Sequence, residues 1–326
     1  MPRLLANDGI DPIGKKMLED AGFEVVTEKV AQENLEQELK KFDAITVRSA
    51  TKVRKDLIDA CPNIKLIGRG GVGMDNIDVE YARSKGIRVV NTPAASSVSV
   101  AELVFAHLFS ITRGLVQSNR QMPTEGMAKF GDIKKATSGI ELRGKTMGII
   151  GFGRIGQEAA KIALGMGMDV LAFDPYVEVV ELSLYIGKEG GNGTRVKVPV
   201  KTVSKEELLK NSDFVSLHVP FSEGDKPIIG EAEIAIMKNG AGIINCARGG
   251  AVSEPALIAA LDSGKIAFAG LDVFAKEPPV DDTLLKHPKV SVSAHVGAST
   301  AEAQIKIGSE LADKIIDFFA ELGTTA

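Results

Sequence analysis

The sequence predicts an α/β protein made of two doubly wound parallel-sheet domains, one inserted into the other. Three observations carry that reading. Short apolar runs alternate with helical patterns twice, over residues 3–91 and again from Thr146 onward. A glycine-rich turn, "TMGIIGFGRIGQ", arrives only at residues 146–157, although such a turn normally stands near the start of its own domain, so the residues before it must build something else. An amphipathic helical tail over residues 300–322 is placed to return to the first series.

Along the chain, "RLLA", "FEVVT", "AITVR", "IKLIG" and "RVVN" are short apolar runs that read as strands. The segments between them carry helical spacing and start signals such as Asp11-Pro12, and this alternation implies βαβ units in a parallel sheet. Residues 97–119, "SVSVAELVFAHLFSITRGLVQSN", form the longest uninterrupted helical pattern, with Gly114 a weak interior signal, and are expected to join two bodies. The second series supplies "MGIIG", "VLAFD", "FVSLH", "GIINC", "AFAGLDV" and "VSVSAH", the six strands that a Rossmann sheet requires. Within it, "YIGKEGGNGTRVKVPV" (185–200) departs from the pattern and reads as a protruding loop with a short hairpin. The expected division is residues 1–97 plus 299–326 as a flavodoxin-like substrate-binding domain and residues 98–298 as a Rossmann domain. Ligands of such domains lie at the carboxyl ends of the strands, in the cleft between lobes.

Composition narrows the class. A chain of 326 residues with 44% hydrophobic content is long enough for two cores. Cys61 and Cys246 are its only cysteines and lie far apart, which points away from a disulfide framework or a zinc site and toward a reducing compartment. The net charge of -4 gives no global attraction to nucleic acid or an anionic membrane. No stretch approaches the length of an apolar membrane span, and "MPRLLANDGI" has no signal-peptide character. A soluble cytoplasmic protein without a metal is expected.

Gly151, Gly153 and Gly156 form G-x-G-x-x-G between an apolar strand and the helical "QEAAKIAL". Glycines there allow a tight turn and let backbone amides approach a pyrophosphate at a helix N-terminus. Asp174 ends the next strand eighteen residues after Gly156, where a carboxylate accepts from both ribose hydroxyls and repels a 2'-phosphate. NAD is thereby favoured over NADP. Of four histidines, His107 reads as a satisfied core or interface residue and His287 as turn surface; His218 is either structural or a cofactor contact. His295 follows the last strand, Arg248 follows another and is trailed by two glycines, and Asp272 and Glu277 follow a third. An arginine, a carboxylate and a histidine gathered at one crevice beside a dinucleotide suit hydride transfer at a carbon bearing oxygen.

From about Val47 to Gln304 the chain resembles the D-2-hydroxyacid dehydrogenase family, most closely its D-3-phosphoglycerate dehydrogenase branch. The resemblance rests on "VRSATKV", "GRGGVGMDNID", "NTPAASSVSVAEL", "LRGKTMGIIGFGRIG", "FDPY", "INCARGG", "LDVFAKEPP" and "HVGASTAEAQ". It implies that Arg248 binds and polarises the substrate, Glu277 supports the histidine, and His295 exchanges the proton. It implies a cofactor site of Arg154 and Ile155 at the pyrophosphate, Asp174 at the ribose, and His218, Val219 and Pro220 near the adenosine. Cys246, Ala247, Asp272, Gly297 and Ala298 would surround the nicotinamide, and Val72 and Gly73 would offer amides to the substrate carboxylate and lie close to the cofactor. The loop "FSEGDK" departs from the family, so no cofactor contact is carried over to it.

Substrate identity is a separate step. Arg48, with Ser49 and Thr51 beside it, either aims charge and hydroxyls at a phosphate or pairs with a local carboxylate. Arg69 is a weaker candidate. The expected reaction is NAD-dependent oxidation of D-3-phosphoglycerate. The alternatives are reduction of unphosphorylated 2-oxo acids such as hydroxypyruvate, glyoxylate or 2-oxoglutarate, and an NAD-sensing corepressor-like protein. A homodimer is expected, with the apolar helix over residues 98–111 as its surface, and no appended module for serine feedback.

Overall fold

A computed structural model of the chain describes residues 1–187, 192–222 and 224–324. It divides into two compact units, Met1–Ser99 with Ala298–Ala326, and Val100–Gly297.

The first unit runs β1 (Arg3–Ala6), α1 (Pro12–Asp20), β2 (Glu24–Val26), α2 (Leu35–Leu39), β3 (Ala44–Val47), α3 (Lys55–Ala60), β4 (Leu66–Arg69), α4 (Val79–Ser84) and β5 (Arg88–Asn91). Helix α1 starts where the sequence placed it: Asp11 Oδ1 accepts from the Ile13 amide at 2.9 Å and Pro12 occupies the first turn. The strands form one parallel sheet in the order β2-β1-β3-β4-β5. A parallel sheet must be covered on both faces, which is why β3 is apolar or small and buried at every position. Leu35, Leu39, Leu57, Ile58 and Ala82 of α2 to α4 cover one face.

The chain continues through α5 (Ser97–Thr112) and α6 (Leu115–Ala136) into β6 (Thr146–Ile150), α7 (Arg154–Gly165), β7 (Asp169–Phe173), β8 (Val179–Ile186), β9 (Thr194–Lys201), α8 (Lys205–Asn211) and β10 (Phe214–Leu217). It then runs α9 (Glu231–Ile236), β11 (Ala241–Asn245), α10 (Glu254–Ser263), β12 (Ile266–Leu271), α11 (Thr283–Lys286) and β13 (Val290–Val292), and α12 (Ala301–Thr324) completes the first unit. There Leu311, Ala312 and Ile315 of α12 cover the second face of the sheet beside Leu18 of α1. Gly14 and Gly308 let these two helices touch, since a Cβ at Gly14 would lie 2.5 Å from the Gly308 carbonyl oxygen.

The second unit holds a six-stranded parallel sheet in the order β13-β12-β11-β10-β6-β7. Buried side chains of α8 to α11 pack one face and those of α5 and α7 the other. Strand β6 lies between β10 and β7, so successive crossovers leave it in opposite directions. That is the switch point at which doubly wound sheets open a crevice.

Two expectations need correction. The helical pattern over residues 97–119 is two helices: Gly114 takes φ 60°, a left-handed conformation that ends α5, and a Cβ there would come within 2.8 Å of the Thr137 Cβ. Helix α5 buries Val100, Val104, Phe105, Leu108 and Ile111 and exposes Val98 and Phe109, and Met127 and Phe130 of α6 are exposed as well. The hairpin is longer than expected, pairing β8 with β9 in antiparallel register from Val179↔Lys201 to Ile186↔Thr194. Its first strand, "VVELSLYI", was hidden by the glycine-rich run after it, and residues 188–191 of that run lie outside the described residues. Among the described residues no single helix is long and apolar enough to cross a membrane.

Candidate active site

Because the second sheet is parallel, every strand ends on one edge, and the residues just past those ends share it. The order divides them: β7, β6 and β10 carry Asp174, the glycine loop and His218, whereas neighbouring β11, β12 and β13 carry Arg248, Asp272 and His295.

The glycine loop is shaped by close approaches. Gly151 has φ 92°, and a Cβ there would sit 2.5 Å from the His218 carbonyl oxygen, while a Cβ at Gly156 would collide with the Gly151 carbonyl. Gly153 faces open space and begins α7 with no side-chain cap, so the first amides of the helix are available to an anion. Asp174 accepts from the Phe152 amide at 2.8 Å through Oδ2 and from the Tyr176 amide at 2.9 Å through Oδ1. Each oxygen keeps a second lone-pair site for a hydroxyl. These features fit a dinucleotide, with Arg154 exposed and Ile155 half-buried at the start of α7. His218 is held by its own amide to the Ile150 carbonyl at 2.7 Å and by Nε2 to Ser216 Oγ at 3.0 Å. Burial pushes its imidazole down to about 4, so it stays neutral. Val219 is half-buried and Pro220 exposed on the same turn.

On the other half, His295 Nδ1 lies 2.7 Å from Glu277 Oε2. The other Glu277 oxygen accepts from the Phe274 amide at 3.2 Å, which anchors the carboxylate to the loop after β12. A carboxylate accepts only, so Nδ1 carries hydrogen, and Nε2 has no hydrogen-bond partner among the described residues. Among the described residues His295 is the one non-glycine residue with positive φ, at 54°. Left-handed backbone at such a residue costs on the order of 1–2 kcal/mol and persists only where surroundings impose it. Asp272 imposes it: the amides of His295, Val296 and Gly297 donate to its carbonyl oxygen at 2.8 Å, Oδ1 at 2.8 Å and Oδ2 at 2.9 Å.

Arg248 is half-buried, with Nη1 donating to the Ala247 carbonyl at 2.6 Å. Asn245 shapes its turn, with Oδ1 accepting from the Ala247 amide at 3.1 Å and Nδ2 donating to the Arg248 carbonyl at 2.8 Å. Sequence reasoning missed Asn245; a polar residue closing an otherwise apolar strand was the available signal. A Cβ at Gly249 would overlap the Phe274 carbonyl, and one at Gly250 would lie 2.7 Å from the Phe221 ring, so these glycines admit neighbouring loops of the protein. Cys246 is buried next to this turn, and burial, with a smaller push from Asp272, raises its thiol well above the ordinary range.

His287 is half-buried, not turn surface: Nδ1 accepts from the Lys289 amide at 3.2 Å and Nε2 lies 3.5 Å from Asp262. His107 is a core residue, and burial lowers its imidazole below the ordinary value against the opposing pull of Asp272.

Arg48, Ser49, Val72, Gly73 and Ala298 belong to the first unit. Arg48 donates to Gln304 Oε1 at 2.7 Å, a neutral partner, while its amide donates to Asp8 Oδ2 at 2.8 Å. Ser49 is exposed, but Thr51 is buried and joined to Asp8 and Asn7, so its hydroxyl is committed to the fold. Val72 is tied through its carbonyl to Asn91 Nδ2 at 2.6 Å. Arg69 folds back to the Gly70 carbonyl at 2.9 Å, in space that a Cβ at Gly71 would fill.

Residues 105–297 match the family described as D-isomer specific 2-hydroxyacid dehydrogenase, NAD binding domain. The chain is 43% identical to the hydroxypyruvate reductase of Thermotoga maritima over 98% of both chains. It is also 43% identical to the D-3-phosphoglycerate dehydrogenase of Methanocaldococcus jannaschii over 97% of this chain, but it spans only 57% of that relative. Among solved structures, D-lactate dehydrogenase from Aquifex aeolicus, complexed with NAD and lactic acid, superposes with TM-score 0.77 at 30% identity, covering 98% of this chain and 96% of that one.

Proposed function

The chain belongs to the D-isomer specific 2-hydroxyacid dehydrogenase family, and from that premise we propose that it oxidises D-3-phosphoglycerate to 3-phosphohydroxypyruvate with NAD. The observation that carries the dehydrogenase chemistry is the His295–Glu277 pair, 2.7 Å apart, with the imidazole Nε2 left open to a substrate proton.

In the oxidation direction the substrate hydroxyl gives its proton to His295 Nε2, and the charge that develops on the imidazole is offset by Glu277. Arg248 offers a guanidinium fork to the substrate carboxylate and stabilises the carbonyl oxygen as it polarises. NAD, when bound, supplies the acceptor for the hydride that leaves the carbinol carbon. The glycine loop and the opening amides of α7 take its pyrophosphate, with Arg154 and Ile155 beside them, and Asp174 takes its ribose. The turn of His218, Val219 and Pro220 borders the adenosine. Cys246, Ala247, Asp272, Gly297 and Ala298 border the nicotinamide. Reduction runs the same proton and hydride movements backward.

Asp174 is expected to set the choice of dinucleotide. Replacing it by alanine removes a charged acceptor, so the KM for NAD rises roughly 10- to 100-fold, the equivalent of hydrogen bonds to a charged group. Activity with NADP increases as the repulsion of a 2'-phosphate disappears. Steady-state kinetics with both cofactors checks this, and an unchanged KM for NAD would remove Asp174 from the site.

Arg48 and Ser49 are read as the phosphate contacts, with Val72 and Gly73 presenting amides to the carboxylate. The partly buried guanidinium of Arg48 has a neutral hydrogen-bond partner in Gln304, which supports this role for its charge. For Arg48→Ala the preference for phosphorylated over unphosphorylated acids, measured as a ratio of kcat/KM values, is expected to fall about 10- to 100-fold. An unaltered ratio would favour the second reading, reduction of an unphosphorylated 2-oxo acid such as hydroxypyruvate. That reading has its own support in the Thermotoga relative, which matches along nearly its full length. A coupled assay of NADH formation from D-3-phosphoglycerate, run beside unphosphorylated acids, separates the two. Exposed Met127 and Phe130 on α6 support pairing as a homodimer, and two free buried cysteines support a reducing, cytoplasmic setting.

A further inference from the structure

We propose that His107 and Ser293 are positioning residues, forming a buried relay that holds Asp272 and, through it, the backbone turn that presents His295. The proposal rests on the reading of His295 as the acid–base group, but it concerns residues that no part of that chemistry uses.

His107 sits on the buried face of α5, pressed against β12 where only glycine fits: a Cβ at Gly270 would come within 2.7 Å of the His107 Cβ. Both ring nitrogens are engaged. Nδ1 lies 2.8 Å from Ser291 Oγ and Nε2 lies 2.9 Å from Ser293 Oγ. These two serines are two residues apart at the end of β13, so their side chains share a face. Ser293 Oγ in turn donates to Asp272 Oδ1 at 2.5 Å.

The direction of every proton in this chain follows from the first. A carboxylate accepts only, so the Ser293 hydrogen points to Asp272. The Ser293 oxygen must then accept from His107, which places hydrogen on Nε2. Nδ1 of the neutral ring is thereby an acceptor, and Ser291 donates to it. The connectivity selects one tautomer and aims the whole chain at one oxygen of Asp272. That same oxygen receives the Val296 amide, and its sister receives the Gly297 amide.

An apolar side chain at position 107 would fill the same space without fixing the carboxylate. The imidazole instead removes the rotational freedom of the Ser293 hydroxyl and of Asp272, on which the left-handed conformation of His295 depends. The residue acts from 186 positions away in sequence from the serine it holds.

The test uses His107→Leu, Ser293→Ala, the double variant and His107→Gln, whose amide can restore the donor to Ser293. Two readings are made on the folded protein: kcat and KM, and the nitrogen resonances of the His295 imidazole. Each single deletion is expected to lower kcat about 10-fold, as for a lost hydrogen bond to a charged group, while the KM for NADH moves less than about 3-fold. The His295 signals should move away from the single Nδ1–H tautomer in both, the double variant should be no worse than the worse single, and His107→Gln should recover most of the loss. Unchanged kcat and unchanged His295 signals in Ser293→Ala would overturn the relay, as would additive losses in the double variant or a folded His107→Gln that recovers nothing. Should His107→Leu fail to fold, Ser293→Ala decides alone. The imidazole resonances are read without substrate, so a shift in Ser293→Ala supports the relay even where loss of His295 itself leaves turnover intact, an outcome that would sink only the acid–base reading.

Discussion

Replacement of His295 by asparagine is expected to lower kcat by roughly 100- to 10,000-fold, the range that positioned proton transfer contributes, with little change in the affinity for NADH. Asparagine keeps a polar group of similar reach and tolerates left-handed backbone, so the turn held by Asp272 should survive. What it lacks is a titratable nitrogen. The imidazole is suited to the task because Glu277 holds Nδ1 at 2.7 Å and so directs Nε2 outward. Stopped-flow measurement of hydride transfer, beside fluorescence titration of NADH, distinguishes loss of chemistry from loss of binding. If the variant turns over at the parent rate, the enzymatic account in its present form is wrong.

Arg248→Leu is expected to reduce kcat/KM for the acid substrate by about 100- to 1,000-fold, comparable to removing one preorganised donor from a developing oxyanion. The loss combines the fork that orients the carboxylate with the charge that polarises the carbonyl. Arg248→Lys retains the charge without the fork and is expected to recover only part of it. Asn245 holds the turn through the backbone of Ala247 and Arg248 in both variants, although Arg248→Leu loses the guanidinium's own bond to the Ala247 carbonyl. Kinetics with a 2-oxo acid and NADH makes the comparison. Equal kcat/KM for leucine and arginine would show that another group binds the carboxylate.

The two effects differ in what they report. Losing His295 acts on a proton and should be felt mainly in kcat, whereas losing Arg248 acts on substrate charge in ground and transition states and should be felt in both kcat and KM. A variant set in which both changes moved only KM would show that the two residues bind substrate without acting in the chemical step.

Much of the fold could be read locally. The first-unit strands and the six of the second sheet follow from apolar runs bounded by turn residues, because a parallel strand buried on both faces must be apolar nearly throughout. Where the reading failed, a residue's conformation depended on a distant neighbour. Gly114 looks like a tolerable interior glycine until its left-handed φ and the approach of Thr137 are known. The strand before residues 188–191 was read as loop because turn-forming glycines adjoin it, although its pairing partner lies beyond them.

The candidate site divides in the same way. The sequence by itself determined the α/β class, the glycine loop with Asp174, and the presence of Arg248, Glu277 and His295 past strand ends, because each rests on spacing within a few residues of one strand. Only the tertiary structure decided that Asp272 clamps three successive amides, that Asn245 shapes the arginine turn, that the glycines after Arg248 admit other loops, and that His107 reaches serines nearly two hundred residues away. The physical reason is that burial can be inferred from the period of apolar residues, whereas the partner of a buried polar atom is chosen by packing between elements and leaves no periodic trace.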